Sequence, residues 1–176
     1  EAETRPEAER VSPPEPLAVR GVTLPEITET ELANGLRVMV LPQTDLPIVT
    51  AQLILPGGES AVPRDKAGLA PMTAALLTRG TESRSANDIA AAIEQVGGSL
   101  EASASQDIFS LSSLVLSEYS DLAFELLGDV AFQASFPQDE LDVIQQRALN
   151  GLEFTLADAE ALAERAFNAI VYGDHP

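Results

Sequence analysis

The chain has no cysteine and one histidine, and it carries ten basic side chains against 28 acidic ones. The missing cysteines exclude disulfides, thiolate-bound zinc and a cysteine nucleophile together. The single histidine, His175, cannot build a histidine-based catalytic triad or a multi-histidine metal site from this chain alone. A phosphate-backbone binder needs a clustered basic surface, and a formal charge of −18 argues against nucleic acid as a partner. An anionic membrane surface is disfavoured on the same ground. No run approaches the ~18 apolar residues of a transmembrane helix. What the sequence does have is 45% apolar residues over 176 positions. That suffices for one domain with a hydrophobic core, or for a piece of a larger one, and is too apolar for a disordered acidic chain.

Residues 1–22 differ from the rest. They hold Pro6, Pro13, Pro14 and Pro16, five glutamates and three arginines. So little apolar surface cannot offset the entropy of ordering the chain. The stretch reads as an extended arm, with a docked arm as the alternative, ahead of a folded part over 23–176. That part keeps 23 of the acidic and 7 of the basic residues, so the acidity belongs to the fold.

From Ile27 the pattern is that of strands. Thr28, Thr30 and Leu32 lead into Asn34-Gly35, and Leu36 to Leu41 follows, which signals a hairpin. Ile48 to Leu55 is apolar on both faces and is expected to be a central strand, ended by Pro56-Gly57-Gly58. Leu69, Met72, Leu76 and Leu77 then form a helical stripe stopped by Gly80. Ser85 and Asp88 open a second helix as a capping box, with Ile89, Ile93 and Val96 on one face and Gly97-Gly98 at its end. Leu100–Ser105 and Ile108–Leu116 read as paired strands. Helices are expected over about 118–133, 137–157 and 159–172, the middle one opened by Pro137. The class is α+β, an antiparallel or mixed sheet covered on one face by helices.

Ordinary sites are scarce. Gly57-Gly58 and Gly97-Gly98 lack the flanking pattern of a phosphate loop and read as turn glycines. Asp139, Glu140 and Asp142 suit the start of a helix and lack the spacing of a calcium loop. Ser103, Ser105, Ser110, Ser112 and Ser113 have no neighbouring base to activate them as nucleophiles.

Five landmarks nevertheless fall in register. Leu32-Ala-Asn-Gly-Leu-Arg-Val38 resembles the L-x-N-G-L-x-V opening of the pitrilysin/insulinase family of zinc metallopeptidases. Gly68-Leu69-Ala70 and Arg79-Gly80-Thr81 resemble the two ends of that family's active-site helix. Ala86 to Gly98, Phe136-Pro137-x-x-Glu140-Leu141 and Tyr172-Gly173-Asp174-His175-Pro176 resemble its later landmarks. Active members carry His-x-x-Glu-His on that helix, two histidines one turn apart for zinc and a glutamate as general base. In this chain the resemblance puts Pro71 and Ala75 in the histidine slots and Ala74 in the glutamate slot. The third ligand, a later glutamate, falls on Gly151, with Glu153 within a short slip.

The resemblance implies a catalytically inactive, zinc-peptidase-like domain, incomplete at its C-terminal end, that binds no metal itself. Its expected partner is a zinc-bearing pitrilysin-type subunit, or a second copy of itself, closing a chamber around extended peptides. Zinc would then belong to the partner. The alternative is a structural or assembly protein with no part in proteolysis. The family's peptide-binding edge strand corresponds to Leu100, Glu101, Ala102, Ser103, Ala104 and Ser105. The Pro/Glu-rich start, which looks like a mature N-terminus, points to an exported or periplasmic protein. Nine arginines against Lys66 alone, in an alanine-rich chain, point to a GC-rich bacterial source.

Overall fold

The structure, a computed structural model, describes residues 25–173. The arm expected over 1–22 and the tail carrying His175 lie outside the described residues. The chain divides into two compact units, Glu1–Gln43 and Thr44–Pro176.

The described part of the first unit is a hairpin. Strands β1 (Thr28–Glu31) and β2 (Arg37–Val40) pair antiparallel, Thr28 opposite Val40 and Glu31 opposite Arg37. Leu32 N–H bonds Leu36 C=O at 2.9 Å and Gly35 N–H bonds Leu32 C=O at 2.8 Å. Asn34 Oδ1 accepts from Leu36 N–H, and Gly35 takes a left-handed φ of 84°. The Asn-Gly signal therefore builds a three-residue connection with glycine at its left-handed position.

The second unit is built on a three-stranded antiparallel sheet of β3 (Ile48–Pro56), β4 (Ser99–Ala104) and β5 (Ile108–Leu116), in the order β3-β5-β4. The centre belongs to β5, and β3, expected to be central, lies at one side of this sheet. Its Val49, Ala51 and Leu53 are half-buried, while Ile48 and Ile54 on the other face are 41% and 55% exposed. A run that is apolar on both faces reports which faces seek cover. It does not count the strand's neighbours.

Helices α1 (Leu69–Leu77), α2 (Ala86–Glu94) and α3 (Ser120–Gln133) lie on the face to which Leu111, Ser113 and Val115 point. Leu77, Ile89, Leu111, Leu127 and Val130 form one buried cluster, and Ile93, Val115, Ala123 and Leu126 a second. On α1 the buried residues are Ala70, Ala74, Leu76 and Leu77, whereas Leu69 is 48% exposed. Of the stripe expected from Leu69, Met72, Leu76 and Leu77, the last two are buried, Met72 is half-buried and Leu69 alone is turned outward. Small side chains at Ala70 and Ala74 form the inward face of a helix that lies against β4. The capping box of α2 forms as read, Ser85 Oγ taking Asp88 N–H at 3.2 Å and Asp88 Oδ2 taking Ser85 N–H at 3.0 Å. Hydrogen bonds from the Ser85 hydroxyl and amide hold the Asp88 carboxyl below the ordinary carboxylate range. Helices α4 (Gln138–Ala157) and α5 (Ala159–Tyr172) follow, Pro137 preceding the first and Asp158 capping the second. Neither contains a buried residue.

A polar clamp joins the α1–α2 connection to α3. Arg84 bonds Asp129 at 2.6 Å and pairs with Glu125, while Thr81 Oγ1 donates to Asp129 Oδ2 at 3.0 Å and Ser83 Oγ at 3.3 Å. The Asp129 side chain is only 11% exposed. Burial pushes its carboxyl up, but the bonds from Arg84, Thr81 and Ser83 and the Arg84 charge outweigh this and hold it below the ordinary range. A carboxylate depressed by folding contributes stability above its unfolded pKa, about 4, and that stability is lost as pH falls through the folded value. Asp129→Asn is therefore expected to lower stability at neutral pH by about 2 kcal/mol. The gap to wild type should close in acid, and urea unfolding followed at neutral and acidic pH measures both.

Candidate functional site

Helix α1 begins at Gly68, whose φ of 93° and lack of a capping side chain leave the first amides without a local acceptor. Glu59 supplies one from a distance, its carboxylate taking the amides of Gly68 and Ala70. The same short turn, Glu59–Ala61, is stitched to the β4–β5 connection. Gly57 N–H donates to Asp107 C=O, Glu59 N–H to Ser105 C=O and Ser60 N–H to Gln106 C=O, each at 2.9 Å. The end of β3, the end of β4 and the start of α1 are thereby held as one corner. Pro71 lies in the first turn of α1, where no intrahelical partner is required of its nitrogen.

On this helix Pro71 and Ala75 are both exposed and share a face one turn apart, while Ala74 is buried at 3% exposure. Neither exposed side chain has a lone pair for a metal, and Ala74 has no basic atom. Helix α4 packs on α1. Gly151 on it is exposed and has open space where a side chain would stand. Glu153, also exposed, is a single carboxylate on that helix. Among the described residues no three histidine, cysteine, aspartate or glutamate side chains are grouped to hold a metal ion.

Among the described residues the sheet has two edges: β3 forms one, and the strand read as a peptide-binding edge lies at the other, paired with β5 alone. Its register runs from Ser99 opposite Leu114 to Ala104 opposite Phe109. Ser105 N–H bonds Ile108 C=O at 2.9 Å, which fixes the alternation. Ser99, Glu101 and Ser103 exchange bonds with β5, and the N–H and C=O of Leu100, Ala102 and Ala104 point away from it. Among the described residues no bond outside the ladder reaches these three. Leu100, Ala102 and Ala104 are half-buried toward the helices; Glu101 and Ser103 are exposed on the other face. Ser105 stands one residue beyond the strand and its carbonyl is already taken by Glu59. It belongs to the corner, not to the open edge.

Reading along the chain did not find Glu59 as the remote cap of α1, the tight seat of Gly58, or the Arg84–Asp129 clamp. Their partners are 9 to 48 positions away, as with Gly68–Glu59 and Thr81–Asp129, and carry no local motif. The Ser85–Asp88 box, three residues apart, was legible.

A three-stranded antiparallel sheet with helices packed on one face defines an α+β domain. The family model described as Insulinase (Peptidase family M16) matches residues 38–176, and the chain belongs to that family. An uncharacterized zinc protease of Mycobacterium leprae is 29% identical over 153 residues, 85% of this chain and 34% of that protein. A non-peptidase homolog of Helicobacter pylori is 26% identical over 158 residues, 89% of this chain and 36% of that protein. The crystal structure of a peptidase M16 inactive domain from Pseudomonas fluorescens matches with a TM-score of 0.77 at 27% identity, covering 85% of this chain and 37% of that one. The chain thus spans about a third of the length of these relatives.

Proposed function

We propose that this chain is a non-catalytic peptidase-family subunit that holds extended peptides along β4 while a zinc-bearing homologue performs the cleavage. The observation that carries the reading is the pairing of Pro71, Ala74 and Ala75 in the metal-helix positions with an unpaired edge at Leu100, Ala102 and Ala104. The chemistry of cleavage is missing while the backbone groups that take up a strand remain. The names of the Pseudomonas fluorescens and Helicobacter pylori relatives support the same direction. Small side chains at Ala102, Ser103 and Ala104 leave room for an added strand. The composition of residues 1–22 supports a place outside the cytoplasm.

The purified chain is expected to take up no stoichiometric zinc in equilibrium dialysis and to cleave no peptide. Mixed with a zinc-bearing relative, it should form a heterodimer by light scattering whose peptide turnover falls when this chain is left out. Ala102→Pro removes one outward N–H yet spares the ladder to β5, so it should weaken peptide binding and leave the heterodimer intact. Chelator-sensitive peptidase activity of the chain alone would overturn the reading. A second reading, a purely structural assembly protein, is favoured by the exposed apolar residues of α4 and α5, among them Phe154 at 82% and Ile170 at 83%. It predicts complex formation with no change in peptide turnover.

A further inference from the structure

The pair Asn-Gly occurs twice in the chain, at Asn34-Gly35 and at Asn150-Gly151. In this pair the asparagine side chain is unusually open to attack by the backbone, because the following residue has no Cβ to shield its nitrogen. The fold gives the two copies opposite surroundings, and their chemistry follows the fold.

Asn34 and Gly35 are both exposed in the connection between β1 and β2. Nothing lies within 4 Å of the place where a Cβ of Gly35 would stand. Leu36 N–H donates to Asn34 Oδ1 at 3.1 Å, which folds the side-chain amide back over the main chain that follows it. One contact opposes reaction: Gly35 N–H donates to Leu32 C=O at 2.8 Å. Little burial holds that contact closed. Every residue of β1 is exposed, and on β2 only Val38 is half-buried, so local opening of the turn costs little.

Asn150 and Gly151 are exposed as well, but they lie in the interior of the 20-residue helix α4. There the Gly151 amide belongs to the helical ladder. Asn150 Oδ1 accepts from Gln146 Nε2 at 2.9 Å, which draws the side chain toward the preceding turn and away from the Gly151 nitrogen. Freeing that nitrogen means opening the helix in its middle.

We propose that Asn34 is a self-modification site of the native chain, converted through a succinimide to isoaspartate and aspartate, while α4 protects Asn150. In the first step the Gly35 nitrogen attacks Asn34 Cγ. The N–Cγ bond forms, the Gly35 amide proton passes to water, and the Cγ–Nδ2 bond breaks with loss of ammonia. Water then opens the ring. Addition at Cγ gives aspartate; addition at the main-chain carbonyl gives isoaspartate, with the backbone routed through Cγ. Isoaspartate lengthens the connection by one main-chain atom and adds a negative charge, so the pairing of Glu31 with Arg37 beside the turn loses its register. The site lies in the hairpin and does not depend on the function proposed above.

Incubation of the full chain in mildly alkaline buffer, followed by peptide mapping with mass spectrometry, tests this. The amide-to-acid mass change should accumulate at residue 34 at least tenfold faster than at residue 150. Isoaspartate should be among the products, recognised by electron-transfer fragmentation. In guanidinium chloride both pairs gain the freedom of an unfolded chain, and the difference between them should largely vanish. No conversion at residue 34 overturns the proposal, as do equal rates at the two positions in the native chain. Aspartate without isoaspartate overturns the cyclic route, since it marks direct hydrolysis by water. A difference that persists undiminished in guanidinium overturns the role given to the fold.

Discussion

An alanine at Gly58 is expected to destabilise the chain by about 3 kcal/mol, the upper end of the usual cost of overpacking. A Cβ placed there would stand 2.0 Å from the carbonyl oxygen of Ser105 and 2.8 Å from the backbone of Gln106. Both neighbours are main chain, so no rotamer change relieves the clash. Relief requires moving the Gly57–Ser60 segment off the β4–β5 connection, at the expense of the bonds from Gly57, Glu59 and Ser60 to residues 105–107. Glu59 moves with that segment, and α1 then loses the carboxylate that accepts from Gly68 and Ala70. Thermal unfolding followed by circular dichroism should fall by roughly 10 °C for a domain of this size. Gly128→Ala is the matching control. It lies inside α3 with nothing within 4 Å of an added Cβ, and it should stabilise by a few tenths to about 1 kcal/mol through helix propensity.

Leu126→Ala is expected to cost about 4 kcal/mol. Leu126 is 0% exposed in the cluster with Ile93, Val115 and Ala123, at the junction of α2, α3 and β5. The loss combines the transfer free energy of the removed atoms with the cavity they leave. Ala123 in the same cluster is too small to swing into the space. Phe124, two positions earlier on the same helix, is 58% exposed, and truncating it should change stability by less than 1 kcal/mol. Urea denaturation of the two variants side by side measures the contrast. Equal losses would mean that α3 does not present this face to the sheet.

Much of this fold was legible locally. The Asn34-Gly35 hairpin, the Ser85–Asp88 box and the start of α4 just after Pro137 are set by residues within a few positions of one another. Such signals act through one turn of backbone and leave their mark in the sequence. The position of β3 in its sheet did not, because pairing is decided by segments far apart in the chain, as with Ile48 and Leu116. On α1 Leu76 and Leu77 are buried as the stripe expects, whereas Leu69 is turned outward for a related reason. Leu69 is the more apolar residue, but the helix approaches β4 and buries Ala70 and Ala74. Bulk decides a close contact more than hydrophobicity does. That Pro71, Ala74 and Ala75 offer no metal-binding lone pair or basic atom follows from residue type and needs no structure.

The open side of β4 also bears on how the protein behaves in concentrated solution. An unpaired strand edge is a template for another chain, and folds commonly guard it with lysine, proline or a bulge. The strand Ser99–Ala104 has none of the first two, and its six residues hold a regular register. It does carry the charged Glu101, and the formal charge of −18 opposes edge-to-edge contact between copies. That protection is colloidal and not steric, so it weakens with ionic strength as the screening length shrinks from about 10 Å at 0.1 M to about 3 Å at 1 M.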